Sequence, residues 1–314
     1  MKRNMSSRER ILASLYHKEV DYVPLNFNIH PGYRNGPLAK AENQFDVVDV
    51  LQQMGTDPTI DIWFPIQVPH PGVKITYWRE KNPVGEGFIR CKQYETPAGP
   101  LRQVVRETPD WDSPDHMLFS RTTCGDRSAR TPDLEMMDDY NVPRSKEVLV
   151  KNEQDLDRFE YLFQPLRGQV LEQWRQEALY AKAEARRRNL FLHARRTFCG
   201  SAMLWLCEPE DFMCQMVANS DYVKRFLRII QDWQNWALGV VLDIGVDMVS
   251  RFGLYDGPSY WGPRYFQQYL RPLIEEETQI VHQGGALHCH GQSEGLTAYL
   301  DILRDMKVDV LMGG

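Results

Sequence analysis

The sequence predicts an α/β protein that forms one barrel domain over residues 1–314, because predicted strands and helices alternate along its length. Short apolar runs bounded by turn residues predict six parallel strands, at 22–27, 59–64, 189–194, 246–252, 286–288 and 308–312. Polar and aromatic residues follow several of these runs, where parallel α/β folds keep their chemistry. No repeat, low-complexity run or linker divides the chain, which favours one barrel over two domains.

The first third of the chain predicts two helices and a small antiparallel insertion. Ser6 and Glu9 fit a capping box at the start of a helix, and a second helix over 45–54 ends at Gly55. Alternating residues over 74–107, with a Pro-Ala-Gly-Pro turn, predict a β-hairpin or meander inserted in the α/β pattern. Residues 108–150 are rich in Pro, Asp, Ser and Arg and predict a long irregular connection.

The second half of the chain shows mainly helical spacing between the later strands. Helices are predicted at 154–159, 170–188, 201–206, 209–218 and 294–307. A longer helix begins with Ser220 as its cap and ends at Gly245. Pro263 opens a further helix, which the Gly284-Gly285 pair ends. The strand over 286–288 then leads directly into Cys289, His290 and Gly291.

Composition and charge exclude several classes of protein. The net charge of −6 and pI near 5.8 disfavour nucleic-acid binding through a basic surface. No apolar run approaches the roughly 18 residues that a membrane span needs, and the N-terminus has no apolar signal core, so we expect a cytoplasmic protein without membrane contact. The six cysteines form no CxxC pair, and only Cys289, between two histidines, calls for a separate hypothesis.

His288 and His290 are the strongest candidate site residues. Residues i and i+2 of a strand share a face, so both imidazoles are able to converge on one metal ion, for which two histidines and a carboxylate are a known set. Asp256, in the loop after the preceding strand, is the nearest carboxylate candidate. Two alternatives stay open: the histidines line a metal-free pocket, or they are structural; Asp256 in Asp-Gly likewise forms either a turn or part of the pocket.

Further residues at the predicted strand ends are candidate pocket residues. Tyr255 and Tyr260 either line the pocket or pack on the barrel rim, and Tyr260 is a catalytic candidate beside Asp256 and His288. Arg195 follows a strand and is a candidate for binding an anionic group, while His193 belongs either to the core or to the pocket. The candidate substrate-binding residues are His30, Arg34, His193, Arg195 and Tyr255.

Several loose motifs, spread over almost the whole chain, resemble the uroporphyrinogen decarboxylase-like superfamily. They are SRERILASL (7–15), VDYVP (20–24), KNEQDLD (151–157), DFMCQMVANSDYV (211–223), GVD (245–247), GPRYF (262–266) and LHCHG (287–291). The resemblance implies a TIM-like (β/α)8 barrel. It also implies one of two activities, since the superfamily contains uroporphyrinogen decarboxylases and cobamide-dependent methyltransferases.

The departures from these motifs favour the methyltransferase branch of the superfamily. The arginine-rich stretch of true decarboxylases is absent, because residues 26–34 carry only Arg34, and a substrate with many carboxylates wants several guanidinium groups. The methyltransferases of this superfamily carry a zinc-binding His-x-Cys-Gly motif, and residues 288–291 of this chain resemble it. His288 and Gly291 match it, His290 stands in place of its cysteine, and the family's distal cysteine has no counterpart.

The resemblance therefore predicts an enzyme that moves a methyl group between a small methylated donor and a corrinoid (cobalamin-type) partner protein, with zinc on His288 and His290. The alternatives are a cofactor-free decarboxylase and a non-catalytic ligand-binding barrel. A closed eight-stranded barrel needs another unit after 308–312, so either the chain is truncated or strands in the middle escape prediction. We expect an incomplete barrel edge to be covered either by a partner, such as a second copy of the chain, or by a disordered tail.

Overall fold

The structure is a computed structural model that describes residues 5–26, 36–38, 40–65, 68–107, 145–196 and 200–313. Its strands are β1 Thr59–Trp63, β2 Lys74–Lys81, β3 Phe88–Thr96, β4 Gly99–Arg106, β5 Ser145–Glu147, β6 Phe191–Arg196, β7 Met248–Phe252, β8 Leu287–Gln292 and β9 Val310–Gly313. Its helices are α1 Ser7–Leu15, α2 Gln44–Gln53, α3 Glu153–Phe159, α4 Gly168–Arg188, α5 Met203–Leu206, α6 Pro209–Ala218, α7 Ser220–Ile244, α8 Gly262–Tyr265, α9 Arg271–Gln283 and α10 Leu296–Asp305. A π-helical turn, Phe266–Leu270, joins α8 to α9.

Five of the strands form one parallel sheet, in the order β1-β6-β7-β8-β9. This confirms five of the six predicted parallel strands, with end points shifted by a few residues. Within the described ranges β1 and β9 are the outer strands, and the sheet does not close into a barrel. The architecture is therefore mixed α/β with a parallel sheet, and the closed TIM-like barrel stays a prediction.

The first predicted strand is wrong over its described part, residues 22–26. Pro24 has no N–H to give to a sheet, and the Leu25 N–H donates instead to the Asp57 carboxylate at 3.1 Å. The Tyr22 hydroxyl donates to the same carboxylate at 3.3 Å. The Leu25 carbonyl accepts the Asp57 N–H at 2.7 Å, so Asp57 alone satisfies both backbone polar groups of Leu25.

The antiparallel insertion is confirmed as a separate sheet in the order β2-β3-β4-β5. Residues 108–144 of the predicted irregular connection lie outside the described part of the chain. Ser145–Glu147, at its end, is a strand that pairs with β4, so the prediction of irregular structure is wrong there. Three residues with mixed polarity are too few for a period-2 pattern to show.

The sequence signals at the helix ends are mostly correct. The Ser6–Glu9 capping box forms at α1, and Gly245 ends α7 in a left-handed conformation with φ of 78°. The cap of α7 is Asn219 rather than Ser220, since the Asn219 side chain accepts the Tyr222 N–H. In the described ranges no helix combines the length and apolar character that a bilayer span requires.

The two faces of the parallel sheet differ in what covers them. Ile60, Ile62, Leu192, Ala194 and Val249 point to one face and pack with apolar side chains of α4, α7 and α9. We call this the helix-covered face. Because directly paired residues of parallel strands point to the same side, the register places Asp61, His193, Arg195, Ser250 and Cys289 together on the opposite face.

Candidate functional site

The face opposite the helices carries a line of polar side chains from four adjacent strands. Asp61 (β1), His193 and Arg195 (β6), Ser250 (β7) and Cys289 (β8) form what we call the strand-face cluster. Asp61 and His193 each stand between two buried apolar neighbours in their strands. A polar group at such a position is costly unless it is hydrogen-bonded, so the cluster is either a satisfied internal network or a site.

His193 is the centre of the strand-face cluster. Its Nε2 lies 2.5 Å from the Ser250 Oγ, and its Nδ1 lies 3.5 Å from the Asp61 Oδ1. The Arg195 guanidinium forms an ion pair with the other Asp61 oxygen. A carboxylate that faces Nδ1 holds the imidazole with Nε2 available to exchange a proton with a hydroxyl.

The electrostatics keep Asp61 charged and His193 neutral. Burial opposes the charge on Asp61, but Arg195 and the His193 hydrogen bond outweigh it and lower the pKa of Asp61 to about 2. Burial lowers the pKa of His193 below its ordinary value, against the opposing hydrogen bond with Asp61. At neutral pH His193 is therefore an uncharged imidazole beside an ionised carboxylate, which is the state of a general base.

The cluster is open to solvent at the β1 end. About 24% of the Asp61 side chain is exposed, whereas His193 and Arg195 are nearly buried and Ser250 is fully buried. A small polar molecule would therefore meet Asp61 first, with Arg195 and His193 behind it. The geometry suits a site that binds a polar group and moves a proton.

His288 and His290 lie on the other side of the sheet. They alternate with Cys289, so they share the helix-covered face with Arg251, and all three side chains are fully buried. The His288 Nδ1 is 2.8 Å from the Thr278 hydroxyl of α9, and its Nε2 is 3.8 Å from the Glu277 Oε2. The structure therefore does not show both imidazoles opening onto a pocket at the strand mouth. The alternation of side chains along a strand predicts that the two histidines share a face of the sheet, but it does not say which face.

Asp256 belongs to the same buried network as the two histidines. Its carboxylate accepts a hydrogen bond from Arg251 Nη2 at 2.9 Å and one from the Ser201 hydroxyl at 3.0 Å. Arg251 Nη1 also donates to the Glu277 Oε1 at 2.8 Å. Asp256 is therefore a fully buried anchor for the loop after β7, and Arg251 balances two carboxylates inside the protein.

This buried network does not fit a metal ion. The Arg251 guanidinium already occupies the position between the two carboxylates, and a second cation there would meet a fixed positive charge. Burial, followed by the Arg251 charge, lowers the pKa of His290 to about 4. Among the described residues no three His, Cys, Asp or Glu side chains are grouped so that they would hold a metal.

The remaining predicted site residues occupy several places. Tyr255 and Tyr260 are half-buried and meet edge to face with ring centroids 5.8 Å apart, and Tyr255 also packs on Trp205. The Tyr255 N–H donates to the Ser201 hydroxyl. His30 and Arg34 lie outside the described part of the chain. Of the predicted site residues that lie in the described ranges, the structure thus brings only His193 and Arg195 into the strand-face cluster.

Sequence reasoning missed Asp61 and Ser250, the two partners of His193. A signal was present in both strands. Asp61 stands in the middle of Thr-Ile-Asp-Ile-Trp, and Ser250 in the middle of Met-Val-Ser-Arg-Phe. A polar residue in the middle of a predicted buried strand needs a partner, and the next strands offer His193 and Cys289.

Comparison with known proteins shows likeness at the level of fold. No protein-family model matches the sequence, and no curated protein matches it either. Among solved structures, the chain is similar to a methyltransferase from Methanosarcina mazei, with a TM-score of 0.50 and 12% sequence identity. The likeness covers 98% of this chain and 76% of that one.

Proposed function

We propose that the protein is a methyltransferase-like enzyme whose substrate binds at the strand-face cluster. Two observations support this. The fold is similar to that of a methyltransferase over 98% of the chain, and a neutral histidine, an ionised carboxylate and a guanidinium converge on the face of the parallel sheet opposite the helix-covered face. The observation that carries the proposal is the line of polar contacts from Asp61, 3.5 Å from the His193 Nδ1, through His193 to Ser250.

In this proposal the residues of the cluster have separate roles. Asp61, at the open end of the cluster, and Arg195, which is paired with it, bind the polar part of the substrate. His193 holds or removes the proton of the group that gains or loses a methyl group.

The finer parts of the proposal come from the sequence resemblance alone. These are membership of the uroporphyrinogen decarboxylase-like superfamily, a closed TIM-like barrel, zinc, and a corrinoid protein as the methyl-carrying partner. The arrangement around Arg251 does not fit a metal, so no step is written through zinc. The decarboxylase alternative needs several arginines to bind a polycarboxylate. On this face the described strands contribute only Arg195, which is already paired with Asp61.

A donor screen tests the proposal. Methyl ethers, methylamines and methyl thioethers carrying a ¹³C-methyl group are incubated with the protein and a reduced corrinoid, and the labelled methyl group is followed by NMR. We expect transfer from at least one donor class, with a rate that falls about 100-fold or more in His193→Gln. Absence of transfer from all three classes, with and without added zinc, would refute the proposal.

Metal content is measured on the same preparations. Zinc that copurifies at one ion per chain and is lost in His290→Ala, but retained in His193→Gln, would support the resemblance to the zinc-dependent branch. Zinc at trace level in active protein would remove the metal from the proposal and leave the strand-face cluster as its only chemistry.

A further inference from the structure

The strand-face cluster contains a nucleophile, Cys289, that the proposed function leaves unused. Cys289 is 2% exposed, is a free thiol and is paired in register with Ser250 on the neighbouring strand. The Ser250 side chain lies beside Cys289 on the same face of the sheet, and its Oγ lies 2.5 Å from the His193 Nε2. One hydroxyl therefore connects a thiol to an imidazole.

We propose that His193 is a general base that removes the proton of the Cys289 thiol through the Ser250 hydroxyl, so that the sulfur accepts an alkyl group. Asp61 is a positioning residue that holds the imidazole. The proposal rests on the proposed function for the identity of the electrophile, a methyl carbon that carries a leaving group.

The step balances without an oxidant, a metal or a cofactor. The S–C bond forms as the bond from carbon to the leaving group breaks, and the leaving group keeps that electron pair. The thiol proton passes to the Ser250 oxygen while the hydroxyl proton of Ser250 passes to the His193 Nε2. The imidazolium that results is stabilised by the Asp61 carboxylate.

Geometry orders these groups in the direction that the proton must travel. Asp61, His193, Ser250 and Cys289 come from β1, β6, β7 and β8, so each group lies one strand away from the next. Asp61 reaches the Nδ1 side of the imidazole and Ser250 the Nε2 side. A hydroxyl is a donor and an acceptor at once, which lets Ser250 pass a proton without becoming charged.

The relay would overcome a thiol environment that is otherwise unreactive. Burial raises the pKa of Cys289, although the Ser250 hydrogen bond and the Arg195 charge act against this. The thiolate is the nucleophilic form of cysteine, so a buried cysteine without a base is inert. The charged groups that face His193 are Asp61, from the neighbouring strand, and Arg195, from its own strand.

Cys207 provides a matched control in the same protein. It is also a free thiol at 2% exposure, and burial raises its pKa against a hydrogen bond from Tyr222. The group that acts on it is the Tyr222 hydroxyl, in place of a serine hydroxyl that contacts a histidine. Cys214 is exposed and reports the rate of an unburied thiol.

The test is site-resolved alkylation with iodoacetamide, a soft alkyl electrophile that needs no methyl-transfer activity. Peptide mass spectrometry follows Cys289, Cys207 and Cys214 separately in the native protein. We expect Cys289 to react about 100-fold faster than Cys207, and His193→Gln to remove that advantage. Ser250→Ala should do the same, and Ser250→Thr, which restores the hydroxyl, should recover the rate.

The controls separate loss of the relay from loss of the fold. A variant that unfolds exposes Cys207 as well, so only variants in which Cys207 stays slow are compared. In the wild type, the rate of Cys289 alkylation should level off once His193 is deprotonated, and because burial lowers the pKa of His193 this plateau should begin below the ordinary imidazole range. A Cys289 rate equal to that of Cys207, or unchanged in His193→Gln, overturns the proposal.

Failure of the relay and failure of the proposed function give different results. Relay-dependent alkylation of Cys289, in a protein that transfers no methyl group from any donor, supports the relay and refutes the methyltransferase. Methyl transfer that survives Cys289→Ala, in a protein whose Cys289 reacts no faster than Cys207, refutes the relay and keeps the enzyme.

Discussion

Removing the Arg251 guanidinium should be among the most damaging single changes in the protein. Arg251 forms ion pairs of 2.9 Å with Asp256 and 2.8 Å with Glu277, and all three side chains are fully buried. Arg251→Met keeps most of the side-chain volume but leaves two carboxylates without their shared cation. Breaking a buried ion pair from one side typically costs about 3–5 kcal/mol, and two stranded carboxylates place this variant at the upper end.

The assay is urea unfolding at pH 7, followed by circular dichroism. A double variant, Arg251→Met with Glu277→Gln, removes one of the stranded charges and should recover part of the lost free energy of unfolding. Arg304→Met is the matched control, since the Arg304–Asp301 pair is 71% and 88% exposed and such a pair contributes about 0–1 kcal/mol. An Arg251→Met variant within about 1 kcal/mol of the wild type would refute the buried charge network.

Two further predictions concern packing and pH. Gly253→Ala should destabilise the protein by about 1–3 kcal/mol in urea unfolding, because an added Cβ would come 2.5 Å from the Asp256 Oδ2 and 2.9 Å from the His290 Cε1. Gly239→Ala is its control, since nothing lies within 4 Å of a Cβ there, and it should stabilise α7 by about 0.5–1 kcal/mol; equal effects of the two changes would contradict the close packing. Asp61→Asn should cost about 2 kcal/mol above pH 4, because the folded protein holds the pKa of Asp61 at about 2, below the unfolded value. A lowered carboxyl pKa stabilises the fold above the unfolded pKa and ceases to do so as pH falls through the folded pKa. The difference in stability between the wild type and Asp61→Asn should therefore shrink between about pH 4 and pH 2, and a difference independent of pH would exclude the ion pair with Arg195.

The sequence predicted the α/β alternation well because each strand and helix carries its own local signal. Caps such as Ser6 and breakers such as Gly245 act within one or two turns of chain, and their outcome does not depend on distant residues. The strand predicted over residues 22–26 failed for the opposite reason. The Leu25 N–H and the Tyr22 hydroxyl of this stretch donate to Asp57, which lies more than 30 residues further along the chain. No local pattern connects Asp57 to them.

The candidate site was predicted only in part because a strand pattern does not identify its own faces. Period 2 correctly placed His288 and His290 on one side of β8, yet only the packing of α9 shows that this side is buried against helices. For the same reason, the sequence did not predict that Cys289 lies on the opposite face, beside Ser250. The contacts of His193 with Asp61 and Ser250 depend on strand order, which the sequence does not state.

The most direct test of the central claim compares the two faces of the sheet in one assay. The rate of ¹³C-methyl transfer and the free energy of unfolding are measured for the wild type, His193→Gln and His288→Gln. If the reaction takes place at the strand-face cluster, His193→Gln lowers the rate of methyl transfer about 100-fold or more and keeps most of the free energy of unfolding. His288→Gln lowers the free energy of unfolding by about 1–3 kcal/mol, because the hydrogen bond with Thr278 is lost. The folded fraction of that variant keeps the wild-type rate. A fully active His193→Gln beside a folded but inactive His288→Gln would contradict the account and return the chemistry to the buried histidines.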